Sequence, residues 1–333
     1  MIIKDIKLTN FRNHKNYNLE CKPNITLILG SNGFGKTSIL EAIYILTRGK
    51  SFRATDPEIL NRGSNFYRIE LEYDSGEKIF ATYDGNQKVF HIEDKKTKRL
   101  PKNYKQPIVL FLPSDLNLIS HSPGRRRDYF DQIISQINES HSSNLSKYEK
   151  ALRQRNELLK KEHHTKEDLF SWNILLSEYG IQILRERFRC VEEFNQRITN
   201  VYQSIAENQD EIHIYYKTDL NSFKQEDYLK QLEQNFEKDS YLGHTSFGIH
   251  RDDYVFDFNQ KVANGSASRG ETRSIILALK FIEANQIYQK THIYPIILLD
   301  DVFSELDPVR RKALTKNFKD NQIIITSVED VEV

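Results

Sequence analysis

The apolar and polar positions divide the chain into three textures. Up to about residue 112 the apolar residues come in short blocks or alternate with polar ones. The segments 1–8, Ile25–Leu29, Tyr67–Tyr73, Lys78–Tyr83 and 88–93 read as strands, and 108–112 as a further short buried one. Gly76 and the pair Asp84-Gly85 punctuate this stretch. Asp-Gly between two alternating runs is a hairpin signal, so an antiparallel sheet is expected over 66–93. After Pro123-Gly124 the pattern changes. From 128 to 207 there is no proline, Gly180 is the one glycine, and Leu152, Leu158, Leu159, Leu169, Ile174, Leu175 and Leu176 recur at helical spacing. That predicts two or three long helices; no heptad is sustained, so any coiled-coil arm is short. Strand texture returns at 212–216, a helix is expected over 225–236, and the closing stretch mixes apolar strands with a long helix, 272–289. The expected division is an α/β lobe, 1–127 plus 208–333, interrupted by a helical lobe, 128–207.

Composition narrows the class. Lys plus Arg is 48 against 47 for Asp plus Glu, a net charge of +1, with 29% charged and 38% apolar residues. Such a chain folds and is not histone-like, so any nucleic-acid binding needs a local basic surface. Two cysteines far apart, Cys21 and Cys190, exclude a disulfide framework and a four-cysteine zinc site. Charges at Lys4, Asp5 and Lys7 argue against a signal peptide, and the longest apolar runs are far too short to cross a bilayer. The expectation is a reduced, cytoplasmic protein with no membrane association.

The candidate chemistry begins at Gly30-Ser31-Asn32-Gly33-Phe34-Gly35-Lys36-Thr37, which fits G-x-x-x-x-G-K-[ST] between a buried-type strand and a helix over Thr37–Thr47, with Ser38 a further ATP-binding candidate. Glycines let backbone N–H groups wrap phosphates, and the helix N-terminus adds a positive dipole end. Lys36 would neutralise the outer phosphates and the Thr37 hydroxyl would ligate Mg²⁺, which makes ATP and Mg²⁺ the expected cofactors. A bare glycine turn is the alternative.

The run Tyr294-Pro295-Ile296-Ile297-Leu298-Leu299-Asp300-Asp301 is an apolar strand ending in two carboxylates. Asp300 would hold Mg²⁺, and Asp301 would face the attacking water as general base. The acidic pair lies 300 − 36 = 264 residues beyond Lys36, a separation that points to a sheet split by a large insertion. ATP-binding-cassette (ABC) ATPases of the chromosome-maintenance kind are built that way, and the expected fold class is accordingly α/β: an ABC-type P-loop ATPase head with a mixed sheet around the P-loop helix, an inserted helical lobe and short coiled-coil-like helices.

Ser268-Arg269-Gly270-Glu271 precedes the long helix and resembles the S-G-G-Q signature of ABC ATPases. It would offer a hydroxyl and helix N–H groups to the γ-phosphate of a second protomer's ATP. The plain alternative is a serine N-cap with a glutamate in the first turn. Ser304-Glu305-Leu306-Asp307 resembles the D-loop that touches a partner's site. Thr326-Ser327 stand where transporter ATPases usually carry a histidine, which weakens a transporter reading.

Together the segments IKLTNFRNHKNY, GSNGFGKTSILEAIY, GKSFR, FLPSDLNLISHSPGRRRDYFD, FGIHRDDYVF, ASRGETRSIILALK and PIILLDDVFSELD resemble the RecF family, relatives of SMC-type heads, over nearly the whole chain. The resemblance implies a weak, DNA-stimulated ATPase of recombinational repair and replication-fork maintenance. It also implies an ATP-dependent homodimer clamped on double-stranded or gapped DNA, help in loading RecA, RecR and RecO as partners, and a nucleoid-associated place in the cytoplasm. Arg12 and Asn13 would lie near the base or γ-phosphate. Arg48, Lys50 and Arg53 would face nucleotide or DNA, or simply solvent. His250-Arg251-Asp252-Asp253 would be either structural support or a nucleotide-side group. Arg125, Arg126 and Arg127 open a predicted helix, where cations oppose the dipole, and a phosphate or Asp128 and Asp131 would offset that cost. With Arg153 and Arg155 they are the candidate DNA contacts; Lys160, Lys161, Arg185, Arg187 and Arg189 are further ones, each alternatively a solvated charge. A transporter ATPase subunit and a phage-defence or other SMC-like ATPase are the rival readings; the 333 − 301 = 32 residues after Asp301 leave no room for an appended nuclease.

Overall fold

The computed structural model describes residues 1–328. It consists of two units, one formed by Met1–Leu116 with the residues from Glu283 onward, the other by Asn117–Ile282. The first segment runs β1 (Ile3–Phe11), β2 (His14–Glu20), β3 (Ile25–Leu29), α1 (Lys36–Arg48), a one-turn α2 (Asp56–Ile59), β4 (Tyr67–Tyr73), β5 (Lys78–Tyr83), β6 (Lys88–Ile92), β7 (Lys95–Thr97) and β8 (Ile108–Phe111). The second unit holds α3 (Pro123–Ile137), α4 (Glu139–Leu159), α5 (Lys166–Asn195), α6 (Ile198–Ala206), β9 (Ile212–Lys217), α7 (Gln225–Gln234), α8 (Phe236–Leu242), β10 (Asp253–Phe258), β11 (Lys261–Val262), a short α9 (Ala263–Ser266) and the start of α10 (Arg269–Thr291). The chain closes with β12 (Ile296–Asp300), α11 (Pro308–Asn317) and β13 (Ile323–Ser327).

In the first unit, the order β2-β1-β4-β5-β6-β7 makes an antiparallel sheet and β3-β13-β12-β8 a parallel one. The alternation in β4 buries Tyr67, Ile69, Leu71 and Tyr73 on one face. Strand β12 is instead buried at every position, as expected for a parallel strand covered on both faces. Helix α1 packs against both sheets. Each of its residues from Ser38 to Thr47 is buried, so this helix must be apolar nearly all round, and Glu41 is its one charged residue there. It stops at Gly49 (φ +86°), whose N–H reaches the Ile45 carbonyl at 2.8 Å. A side chain next to β13 also ties the two sheets. Gln322 accepts from the Ile3 N–H (2.8 Å) and donates to the Ile3 carbonyl (2.7 Å).

In the second unit, α4 and α5 pack along each other, and β9, β10 and β11 form a three-stranded antiparallel sheet. This unit is larger than the expected helical lobe at 128–207, and it is not all helical. The reason is the pairing of β9 with β10 together with the covering of its other edge. The Asn195 side chain both donates to the Ile214 carbonyl and accepts from the Ile214 N–H, each at 2.8 Å. The helix expected over 225–236 is two helices, broken at Asn235, whose amide turns back to the Gln231 carbonyl.

Long side chains anchor this unit from within. Arg155 is fully buried and donates to Asn173 (2.7 Å), Asp239 (2.8 Å) and Thr245 (2.7 Å). Arg187 grips Asp131 with two nitrogens (2.9 and 2.6 Å) and also reaches the Tyr216 hydroxyl and the Ile249 carbonyl. Arg126 grips Asp253 likewise (2.8 and 2.9 Å) and caps two backbone carbonyls. These three arginines are therefore not DNA contacts. Their guanidiniums are held inside the unit; Asp253 supplies the charge opposite Arg126 at the helix start, while Asp131 is taken by Arg187 and His141. Arg127 donates to the Asp252 carbonyl at 2.6 Å.

From the segment 250–253, His250, Asp252 and Asp253 turn toward the same interior, while Arg251 is exposed. The His250 ring accepts or donates at the Tyr148 hydroxyl (2.8 Å), and the Tyr216 hydroxyl donates to Asp252 (2.6 Å). This is structural support. Burial pushes His250 down to about 4 and Asp252 up to about 6. Their pH effects oppose each other. Below its ordinary value near 6.5 an unfolded His250 takes a proton the native form refuses, so stability is lost as pH falls from about 6.5 to 4. Native Asp252 instead keeps its proton up to about 6, which adds stability as pH falls through the same window. Asp252→Asn should expose the His250 effect alone. Its melting temperature should then fall more steeply than the wild type's between pH 6.5 and 4.5; equal slopes would contradict this.

Candidate functional site

Helix α1 begins at Lys36 because Gly35 turns the chain with φ +97°, after Gly33 at +86°. A side chain at Gly35 is excluded twice over. Its Cβ would lie 2.2 Å from Asn13 Oδ1 and 2.5 Å from His14 Nε2. The β1–β2 turn thus clamps the loop: Asn13 Nδ2 donates to the Gly33 carbonyl (2.9 Å), and the His14 ring meets the Gly35 carbonyl (3.1 Å). Lys36 is buried and curls back, donating to the Gly30 carbonyl (2.8 Å).

The acidic strand meets this loop. Within the parallel sheet β13 lies between β3 and β12, so the carboxyl ends of all three face one place. Thr37 Oγ1 lies 2.9 Å from both oxygens of Asp300. Thr326, on the intervening strand, donates to Asp300 Oδ1 at 2.9 Å. Burial raises the Asp300 carboxyl; the Thr37 and Thr326 hydrogen bonds oppose this, neighbouring Asp301 adds to it, and the charge of Arg53 opposes it. Asp301 follows in a left-handed conformation (φ +49°), fixed by its N–H to Thr326 Oγ1 (2.9 Å). Its Oδ2 sits 3.8 Å from Lys36 Nζ, and its Oδ1 is buried with no partner among the described residues.

A cleft of about 720 Å³ opens over these groups, lined among others by Arg12, Asn13, Asn32, Lys36, Thr37, Ser38, Arg53, Asn61 and Asp301. Its rim carries an arrangement the sequence did not announce. Fully buried Glu41 receives Arg12, Arg53 and Ser51. Burial pushes its carboxyl up, but these three donors outweigh that and hold it below the usual range. A lone glutamate in an apolar helix was the available signal for it. Thr326 stood out only as the position without a histidine, and nothing tied it to Asp300.

Lysine between a glycine-bent loop and a strand-end carboxylate, with a threonine hydroxyl on that carboxylate, is the arrangement of a nucleotide-triphosphate site. Residues 1–320 match the family model described as AAA ATPase domain. The DNA replication and repair protein RecF of Clostridium perfringens (strain SM101 / Type A) is 34% identical over 344 residues, covering 99% of this chain and 94% of that protein. The RecF of Clostridium novyi (strain NT) is 34% identical over 346 residues, covering 100% and 94%. The chain belongs to the RecF family. A solved structure of the recombination mediator protein RecF with ATP, in the RecFOR pathway, superposes with a TM-score of 0.88 at 29% identity, covering 100% of this chain and 93% of that one. An SMC head bound to the C-winged helix domain of ScpA shares the fold alone, with a TM-score of 0.57 at 14% identity.

In this member of the RecF family, the other expected residues fall as follows. Arg12 and Asn13 flank the cleft with the loop residues. Ser268 and Glu271 form a reciprocal cap at the start of α10: the Ser268 N–H donates to Glu271 (2.6 Å), and the Glu271 N–H to Ser268 Oγ (3.3 Å). Asp307 caps α11 through the Arg310 N–H (3.0 Å). Arg153 is exposed and Arg125 half-buried. Among the described residues no helix is long and apolar enough to cross a membrane.

Proposed function

We propose that this chain is an ATP-gated DNA-binding ATPase of recombinational repair and replication-fork maintenance. The observation that carries the reading is the convergence of Lys36, Thr37, Asp300 and Asp301 at the ends of three adjacent strands. Backbone N–H groups of 30–38 would cradle the phosphates, with Arg12 and Asn13 at their side. The Thr37 hydroxyl and Asp300 fit Mg²⁺, a hard cation that takes one or two protein oxygens and completes its shell with phosphate oxygens and water. Mg²⁺ there would neutralise charge on the outer phosphates. The unpartnered Asp301 Oδ1 is suited to receive the attacking water's proton.

Ser268 accepts from its own helix and keeps its hydroxyl proton for an outside acceptor. This supports a role for 268–271, with Asp307, on the γ-phosphate held by a second copy. Two ATP molecules would then close a homodimer around double-stranded or gapped DNA, and slow, DNA-stimulated hydrolysis would reopen it. By the RecFOR setting of the solved relative, RecR and RecO are the expected partners, and RecA loading on DNA in the cytoplasm the expected outcome. Of the five candidate DNA contacts, Arg153, Arg125 and Arg127 stay in this reading. Asp301→Asn should slow hydrolysis at least about 100-fold and leave ATP-bound dimers trapped. Ser268→Arg should block ATP-dependent dimers while sparing ATP binding. Size-exclusion chromatography with ATP reads both, and normal dimers in Ser268→Arg would refute the trans assignment.

A further inference from the structure

Glu41 lies on α1 one turn beyond Thr37, with its side chain wholly removed from solvent. It accepts hydrogen bonds from Arg12 Nε (2.9 Å) and Nη2 (2.8 Å), Arg53 Nε (3.1 Å) and Nη2 (2.9 Å), and Ser51 Oγ (2.6 Å). A single carboxylate thus holds two guanidiniums that reach the cleft from opposite segments of chain. Arg12 is the fixed member: its Nη1 also donates to the Glu58 carbonyl (3.0 Å), and its backbone sits at φ +56° with its N–H on the Ile59 carbonyl (2.8 Å). Arg53 is the poised member. Its Nη2 touches Ser38 Oγ (3.3 Å) on the phosphate-loop helix, and its Nη1 has no hydrogen bond among the described residues. Burying a carboxylate so completely is costly unless every lone pair is used, and here the use is to fix cations at a cleft rim.

We propose that Glu41 is a positioning residue that presents the Arg53 guanidinium to the outer phosphates of a nucleoside triphosphate, with Arg12 as the brace that keeps the carboxylate aimed. The inference rests on the nucleotide reading of the cleft. A ground-state nucleotide gains little from Arg53, because its charge is shared with Glu41. The donor left on Nη1 acts where charge builds on the transferring phosphoryl group. Loss of Glu41 therefore lowers kcat and leaves ATP affinity nearly untouched.

The test compares wild type, Glu41→Gln, Arg53→Lys and the double variant, using binding of a fluorescent ATP analogue and steady-state turnover with ATP and Mg²⁺. Glu41→Gln places an amide N–H among donors and should cost about tenfold in kcat with affinity within about threefold. Arg53→Lys keeps the charge on a half-exposed side chain, folds, and should show the same split. The double variant should be no worse than the poorer single, because both remove one function. Unchanged kcat in Arg53→Lys overturns the proposal even if Glu41→Gln fails to fold. Additive losses in the double variant, or a loss in affinity equal to the loss in turnover, overturn it as well. A wild type that neither binds nor hydrolyses ATP overturns the nucleotide reading itself, and this proposal with it.

Discussion

Replacing Lys36 with alanine is expected to lower ATP turnover by about 100- to 1,000-fold, the usual cost of removing one charged group that stabilises a reacting phosphoryl or acyl centre. The structure gives the reason and the control. Lys36 is buried at the mouth of α1, where its ammonium rests on the Gly30 carbonyl and lies within 3.8 Å of Asp301. These are parking contacts that a phosphate oxygen can replace without moving the helix. Alanine at this position keeps the helix and leaves Gly33 and Gly35 to bend the loop, so the melting temperature should stay within a few degrees. Coupled-enzyme turnover with a thermal scan on the same preparation checks both. A variant that hydrolyses ATP like the wild type would remove Lys36 from the site.

Arg155→Ala is expected to be among the most destabilising single changes in the second unit. Asp239 and Arg155 are both fully buried, so alanine strands a carboxylate with no cation and leaves Asn173 and Thr245 short of a donor. Breaking such a pair costs about 3–5 kcal/mol. For a unit of this size that is a fall of about 6–20 °C in its melting transition. Arg153→Ala, two residues earlier and exposed, should leave the transition where it is. Any loss of DNA binding in Arg155→Ala should follow unfolding, whereas a loss in Arg153→Ala would be direct. Calorimetry separates the two, and equal transitions in both variants would contradict the role assigned to Arg155.

What the sequence made legible was local. The phosphate loop carries all its determinants within eight neighbouring residues, and the acidic strand within another eight, so both are readable from the sequence alone. The antiparallel sheet over 66–93 was legible for the same reason, since its hairpins are closed by Gly76 and Asp84-Gly85. The contacts that escaped join residues far apart. Arg126 meets Asp253 at a separation of 127, and Arg155 meets Asp239 at 84. A charge run in one dimension does not show that its members turn inward to such partners, so Arg126, Arg155 and Arg187 looked like surface cations. The extent of the second unit escaped likewise, because the partner of β9 lies beyond two further helices. Neither Thr326 nor Glu41 announced its partners, yet one holds the Asp300 carboxylate and the Asp301 N–H, and the other both arginines at the cleft.

The central claim is that ATP gates DNA binding by joining two copies of this chain. Sedimentation velocity of the purified protein, with and without ATP and Mg²⁺ and with a gapped duplex, tests it most directly. The account predicts a monomer that becomes a dimer only with ATP and holds the duplex more tightly in that state, with Lys36→Ala remaining monomeric. A single species unchanged by ATP, with the same DNA affinity in wild type and Lys36→Ala, would contradict it.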